Sequence, residues 1–323
     1  MYGVLASWDN LLRAYRQAGK GKRGTAVVAA FEHRLEDNLC RLAQELASRT
    51  YRPGPYVSFF IRDPKERRIS AAPFRDRVVH HALCNVIEPR FERTFVADSY
   101  ANRTGMGTHR CLDRCQELAR RHRFVLQCDV RQFWANCYLN PFDHFVKREL
   151  RCPGYVRYVD DMLLFGDDKQ HLWAWKAAVV ERLARFRLTI HPGAQPRPVT
   201  EGIPFLGFVV FPDRRRLKRR NAIHFGRRFR QLLRDCHAGR VGATRVTAAA
   251  RGWATHAAHG NTVGLRKAVF RSATRGGTAA RSGASRDRGR FQVRLLLDGG
   301  RVRTSTAGAD PAPPPPVLKG CSP

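Results

Sequence analysis

After Gly154 the chain reads Tyr155-Val-Arg-Tyr-Val-Asp-Asp-Met-Leu-Leu-Phe165, and this run constrains the fold more than any other. Two apolar segments flank an adjacent pair of acids, the pattern of two strands joined by an acidic turn. Carboxylates set inside so apolar a run are costly unless something compensates them. A plain polar hairpin tip is the alternative reading. The flanks extend the pattern. Phe124-Val-Leu-Gln-Cys-Asp-Val130 reads as a strand ending in an acid, and a helix follows from about Gln132 to Leu150. Beyond the hairpin a second helix carries Leu172, Trp175, Val179 and Leu183, and Leu188 to His191 reads as a strand. The order β-α-β-β-α-β predicts an α+β fold of the two-layer, ferredoxin-like kind.

Upstream, Val4 to Gln17 is a helix candidate, followed by the basic loop Gly19-Lys-Gly-Lys-Arg-Gly24. Phe31, Leu35, Leu39, Leu42 and Leu46 recur at helical spacing and predict one apolar stripe that ends at Pro53-Gly-Pro55. Tyr56 to Phe60 and Arg67 to Ser70 predict two short strands around Asp63-Pro-Lys-Glu66. Pro73 opens a helix whose Val78, Val79, Ala82, Leu83, Val86 and Ile87 are expected to face inward until Pro89 stops it. Cys111, Cys115 and Leu118 share one side of a helix over Gly107 to Arg121, and the two thiols read as buried core, not half a metal site. Downstream, Phe205 to Phe211 and Arg216 to Arg219 suggest a hairpin. Two Arg-rich helices follow at Ile223 to Cys236 and Thr247 to Ala258.

Charge restricts the partners. Lys and Arg number 59 against 27 Asp and Glu, a formal net charge of +32. Such a surface repels itself unless an anion neutralises it, and a polyanion adds counterion release to direct contacts. A genome that favours Arg codons explains the choice of Arg over Lys better than it explains the imbalance. No run of about 18 apolar residues occurs, which argues against a membrane span. The opening MYGVLASWDNLL reads as an amphipathic helix, not a signal peptide. Nine scattered cysteines, without a C-x-x-C pair, fit a reduced, cytoplasmic protein. From about Phe270 onward Arg, Gly, Ser, Thr and Ala dominate, ending in Pro311-Ala-Pro-Pro-Pro-Pro316. This composition predicts disorder, either an RNA-binding tail or a functionless extension of the reading frame.

Three acids carry the chemical expectation. In a β-α-β-β arrangement the first strand lies beside the hairpin, so Asp129 approaches Asp160 and Asp161 although thirty-one residues separate it from the first of them. Clustered carboxylates repel unless a cation neutralises them. Two Mg²⁺ ions about 3.5–4 Å apart would do so, with Mn²⁺ as a substitute. Lys65 and Arg67 alternate on a strand edge, and Arg75 and Arg77 begin the next helix, where basic pairs could meet triphosphate or template. A solvated face is the plain alternative for each of them.

The motifs then resemble a family. Tyr158-Val-Asp-Asp161 is similar to the polymerase signature of reverse transcriptases, and the surrounding text resembles the diversity-generating-retroelement and group II intron-like branch. Lys65-Glu-Arg-Arg-Ile-Ser70 with Phe74-Arg-Asp-Arg-Val-Val-His-His-Ala-Leu83 resembles the fingers motif. Asp98-Ser-Tyr-Ala-Asn-Arg-Thr-Gly-Met-Gly-Thr-His109 resembles a further stretch of that family, and Gly202-Ile-Pro-Phe-Leu-Gly-Phe208 resembles the FLG motif that closes the palm. Trp8-Asp-Asn-Leu-Leu-Arg-Ala-Tyr15 tilts the match toward the retroelement class. The resemblance implies N-terminal helices and fingers over 1–120, a palm over 121–213, small helical thumb elements over 214–270 and a tail over 271–323. It implies Asp129, Asp160 and Asp161 as catalytic metal ligands in RNA-directed DNA synthesis. The expected partners are an RNA template, a DNA or RNA primer, dNTPs and a small basic accessory protein.

The chain departs from the family after the first of these acids. Asp129-Val-Arg-Gln-Phe-Trp-Ala-Asn136 jumps from one family motif into the end of another, so that Gln132 and Asn136 match the second motif. Phe133 matches either a residue of that motif or the aromatic that screens the sugar 2′ position. The missing segment would pack against the templating base pair, so the resemblance implies an impaired polymerase. A catalytically inactive RNA-binding remnant and a maturase-like protein are the alternatives.

Overall fold

The computed structural model describes residues 2–62, 66–131 and 136–275, and these form a mixed α+β fold of several helices and small sheets. The chain divides into two compact units, Met1–Glu201 and a second that begins at Gly202.

The first unit opens with α1 (Tyr2–Leu5), α2 (Trp8–Gly19), α3 (Ala26–His33) and α4 (Leu35–Ala47), then a hairpin of β1 (Val57–Arg62) and β2 (Glu66–Ala71), then α5 (Phe74–Glu92). The predicted stripe is split at Arg34, whose φ of −123° and ψ of 50° leave the helical region; Leu39, Leu42 and Leu46 are buried on α4. They pack with Leu11, Ala14 and Tyr15 of α2 and Phe74, Val78 and Ala82 of α5. A buried amide fastens α2 to α5: Asn10 Nδ2 donates to the carbonyls of Leu5 (3.1 Å) and Ala82 (3.0 Å), and Asn10 Oδ1 accepts from Asn85 Nδ2 at 2.9 Å. Two expectations for α5 fail. It continues through Pro89 to Glu92, and Leu83 is 44 % exposed. Pro89 deprives the helix of one intrahelical bond, the amide that would meet the Asn85 carbonyl, without ending it, and Leu83 lies off the face that Val78, Val79 and Ala82 bury. The β1–β2 pair forms a two-stranded sheet of its own and leaves Val57, Phe59, Phe60 and Ile61 exposed.

The rest of this unit is built on one sheet. After α6 (Thr108–Arg121) come β3 (Phe124–Arg131), α7 (Asn136–His144) with a π-turn over Phe145–Glu149, β4 (Gly154–Tyr158), β5 (Asp161–Gly166), α8 (Lys169–Arg185), β6 (Thr189–Ile190) and β7 (Pro196–Pro198). The order across the sheet is β4-β5-β3-β6, with β7 also on β3, and every pairing is antiparallel. Strand alternation sends Leu126, Cys128, Val130, Met162, Leu164 and Tyr155 to one face. There they meet Phe142 and Val146 of the α7 region and Leu172, Trp175, Val179 and Leu183 of α8. The start of the expected helix from Gln132 to Leu150 lies outside the described residues, and from Asn136 to Glu149 it is realised as α7 and its π-turn.

The second unit starts with a three-stranded meander of β8 (Ile203–Phe205), β9 (Phe208–Val210) and β10 (Arg215–Leu217). The β8–β9 turn places Leu206 at φ +43° and Gly207 at φ +88°. Tight hairpin turns need such positive values, which explains the Phe-Leu-Gly run. The helices α9 (Arg219–His237), α10 (Ala243–Ala257) and α11 (Val263–Arg275) follow and enclose Phe229, Val246, Ala250, Phe270 and Ala273. Among the described residues no helix is long and apolar enough to cross a membrane.

Candidate functional site

The acidic turn is held by a buried ionic network. Arg157 lies in the middle of the β4–β5 hairpin's apolar run, and its side chain is 1 % exposed. Its Nε and Nη2 donate to Oδ1 (2.7 Å) and Oδ2 (2.6 Å) of Asp143, a fully buried carboxylate on α7. Nη2 also reaches Ser99 Oγ at 3.0 Å, and Nη1 reaches the carbonyl of Val159 at 3.0 Å. Tyr155 completes the set, its hydroxyl donating to Asp143 Oδ1 at 2.7 Å. Burial lowers the Arg157 pKa, but the bonds to Asp143 more than offset this and hold it above its ordinary value. Burial, with Asp143 adding to it, drives the Tyr155 phenol well above its own.

The same network docks the segment that contains Asp98 to His109. The Arg157 amide donates to the Asp98 carbonyl at 2.9 Å, and the Tyr100 amide to the Arg157 carbonyl at 3.0 Å. The Asp98 carboxylate binds Lys147 Nζ (2.6 Å) and Arg114 Nε (2.9 Å), while Tyr158 and Thr108 hydroxyls meet at 3.0 Å. Two strands, α6, α7 and this loop therefore converge on one turn.

That turn is the two-residue Val159-Asp160. Val159 has φ +59°, a region that a β-branched residue rarely adopts. It is retained because Arg157 grips the Val159 carbonyl and the Val130 amide donates to the Asp160 carbonyl at 3.2 Å. Asp129 and Asp161 stand opposite each other as the last register pair of β3 and β5. Asp160 falls outside that register. Asp161 acts toward α6 as well: burial pushes the Cys111 thiol up, and Cys115, Asp161 and Asp98 add to the rise.

The expected metal centre is not formed. Among the described residues no group of three or more His, Cys, Asp or Glu side chains is gathered to hold a metal ion. Strand pairing brings Asp129 and Asp161 to one level of the sheet, but the third acid belongs to the turn, and proximity along the sheet does not supply a ligand cage. The expectations of a two-Mg²⁺ or Mn²⁺ site, of Asp129, Asp160 and Asp161 as its joint ligands, and of metal-dependent RNA-directed DNA synthesis are corrected accordingly.

The other sequence candidates are dispersed. Lys65, Gln132 and Phe133 lie outside the described residues. Arg67 is on β2, in register with Ile61, and Asn136 is the first residue of α7. Arg75 is engaged within the protein: it pairs with Glu45, stacks over the Tyr51 ring at 5.2 Å and lies 3.8 Å from Asp76. Arg77 lies over the Phe74 ring at 5.3 Å.

Charge is distributed unevenly. From Gly202 to Arg275 the sequence holds seventeen Lys and Arg against two acids, Asp213 and Asp235. Both acids are engaged, Asp213 with Arg214 at 2.7 Å and Asp235 with Arg240 at 2.6 Å. Arg219, Arg220, Arg227, Arg228, Arg230 and Arg234 are exposed on α9. Sequence reasoning named these helices Arg-rich but missed the Arg157–Asp143 lock, whose signal was a cation at a position that alternation assigns to the interior.

Comparison with models of known protein families gives no match, and comparison with curated proteins gives none either.

Proposed function

We propose that the chain is a non-catalytic RNA-binding protein, built on a ferredoxin-like palm of the reverse-transcriptase kind that serves as scaffold. The observation that carries this reading is the charge of the stretch from Gly202 to Arg275, seventeen basic residues against two acids that are themselves ion-paired. A surface so unbalanced binds a polyanion by counterion release and needs no metal. The exposed Phe60, opposite Arg68 in the β1–β2 register, adds an aromatic face next to a cation, the combination that single strands favour. The palm reading is supported by the strand order β4-β5-β3-β6 and by the Tyr158-Val-Asp-Asp turn. RNA is preferred to DNA as partner because of the motif resemblance, from Trp8 to Phe208.

The test is RNA binding by the full chain and by a variant carrying Asp160→Asn and Asp161→Asn together. Equal affinity of the two for a structured RNA, in EDTA and in Mg²⁺ alike, is the expected result. An affinity that requires Mg²⁺ and collapses in the double variant would overturn the reading.

A further inference from the structure

The second unit contains a groove that the charge argument alone does not use. It runs along the seam of α9 and α10, with a volume of about 460 Å³. On α9 its lining includes Phe225 and Arg228, and on α10 Arg245, Trp253 and His256. These residues recur at helical spacing, so each helix presents one continuous edge to the groove. Phe225 and Trp253 stack with ring centroids 4.3 Å apart and planes 1° from parallel, and Phe225 also stacks on Phe229 at 5.3 Å. The aromatic platform is thereby fixed in orientation before any ligand arrives. Arg228 and Arg245 are exposed, and among the described residues neither forms an ion pair. No acid lines the groove.

We infer that this groove binds an unpaired nucleotide segment of single-stranded RNA, its base stacked against the Phe225–Trp253 platform and its phosphates held by Arg228 and Arg245. A rigid aromatic face flanked by guanidinium groups matches a base with phosphates on either side, because every base offers a π-face and the backbone offers the charge. An acidic peptide would satisfy the two cations but bring no π-face to extend the Phe225–Trp253 stack. A duplex would satisfy the cations too, yet its bases are stacked within the helix and cannot enter. The lining spans eleven residue steps on each helix, from Asn221 to Leu232 and from Arg245 to His256. At 1.5 Å per residue that is about 16 Å, longer than a mononucleotide requires.

This inference rests on the RNA-binding reading, and the experiment separates the two. Fluorescence anisotropy would follow the full chain binding a labelled single-stranded RNA twelve-mer, a fully paired RNA duplex of equal length, and ATP as mononucleotide. The variants are Phe225→Leu and Trp253→Leu, which remove the aromatic rings but stay apolar, and Arg228→Gln and Arg245→Gln, which alter exposed side chains and leave the core intact. The leucine variants are expected to lose about tenfold in affinity for the single strand and less than twofold for the duplex. Each glutamine variant should flatten the single-strand salt slope by about 0.7. Equal loss on single strand and duplex, or no loss on the single strand, would overturn the groove assignment while leaving general RNA binding intact. ATP binding as tightly as the twelve-mer would also overturn the assignment to a strand. Failure of the unmodified chain to bind any RNA would overturn both readings. Should a leucine variant fail to fold, the glutamine variants decide the matter.

Discussion

Replacing Arg157 by Met removes the cation from a site where the Asp143 carboxylate is fully buried and, among the described residues, retains only the Tyr155 hydroxyl as a side-chain donor. Breaking a buried pair by deleting one partner costs about 3–5 kcal/mol, because the charge left behind is uncompensated. Asp143→Leu should cost a similar amount, since the guanidinium would keep only Ser99 Oγ and the Val159 carbonyl among its bonds described above. For a body of about 200 residues each kcal/mol shifts Tm by ~2–4 °C, so either single change should lower the transition of the first unit by roughly 6–20 °C. The double variant behaves differently. An apolar pair of similar volume is often close to neutral in place of a buried ion pair, so it should recover at least half of the loss. Urea denaturation of the four proteins followed by circular dichroism gives the coupling energy. Single-variant losses below about 1 kcal/mol, or a double variant equal to the sum of the singles, would refute the claim that this network holds the turn.

Three further outcomes follow from the geometry of the same sheet. Gly154→Ala would place a Cβ 2.6 Å from the Phe165 Cβ and 3.1 Å from the His122 ring. Because a Cβ cannot rotate away, the change should destabilise by about 1–3 kcal/mol in urea denaturation; a neutral result would mean that β4 and β5 are less closely packed. Val159→Gly relieves a left-handed Val and should stabilise by roughly 1 kcal/mol in the same assay, where a loss would show that the valine side chain contributes more than its backbone strain removes. Burial pushes the Cys128 and Cys152 thiols up to about 12. At pH 8 iodoacetamide should therefore modify the exposed Cys40 and spare these two until denaturant is added, as read by peptide mass mapping. Labelling of Cys128 at the rate of Cys40 would contradict the packed sheet.

Much of the sheet is legible in the sequence because its elements obey a strong period. The β3 strand, the acidic hairpin and the Leu172-Trp175-Val179-Leu183 face of α8 all follow from alternation or helical spacing, and the structure buries the apolar residues so named. The short strands are harder to read. Pro196 to Pro198 carries two prolines, which sequence logic keeps out of central strands, yet it pairs at the edge position beside β3. The break at Arg34 and the passage of α5 through Pro89 are decided by tertiary packing, which overrides local preference.

The site was legible only as chemistry in one dimension. Adjacent acids in an apolar run signalled a special turn, and that turn is present with a strained Val159. Whether three carboxylates gather as ligands depends on side-chain geometry that spacing does not encode, and here they do not. The converse error concerns Arg157. A basic residue in a basic chain reads as one more surface cation, while its alternation position already required an internal anion, which Asp143 supplies from a different element. Composition, by contrast, transfers directly. The excess of Arg was visible at once, and the structure adds that the two acids between Gly202 and Arg275, Asp213 and Asp235, are already engaged.

The most direct test of the central claim is the dependence of RNA affinity on KCl concentration, measured in EDTA with the full chain. If about six of the cations of the second unit meet phosphates, the logarithm of the association constant should fall with a slope of about −4, a loss of roughly 300-fold between 50 and 200 mM salt. A flat line, or no association at 50 mM, would contradict the account.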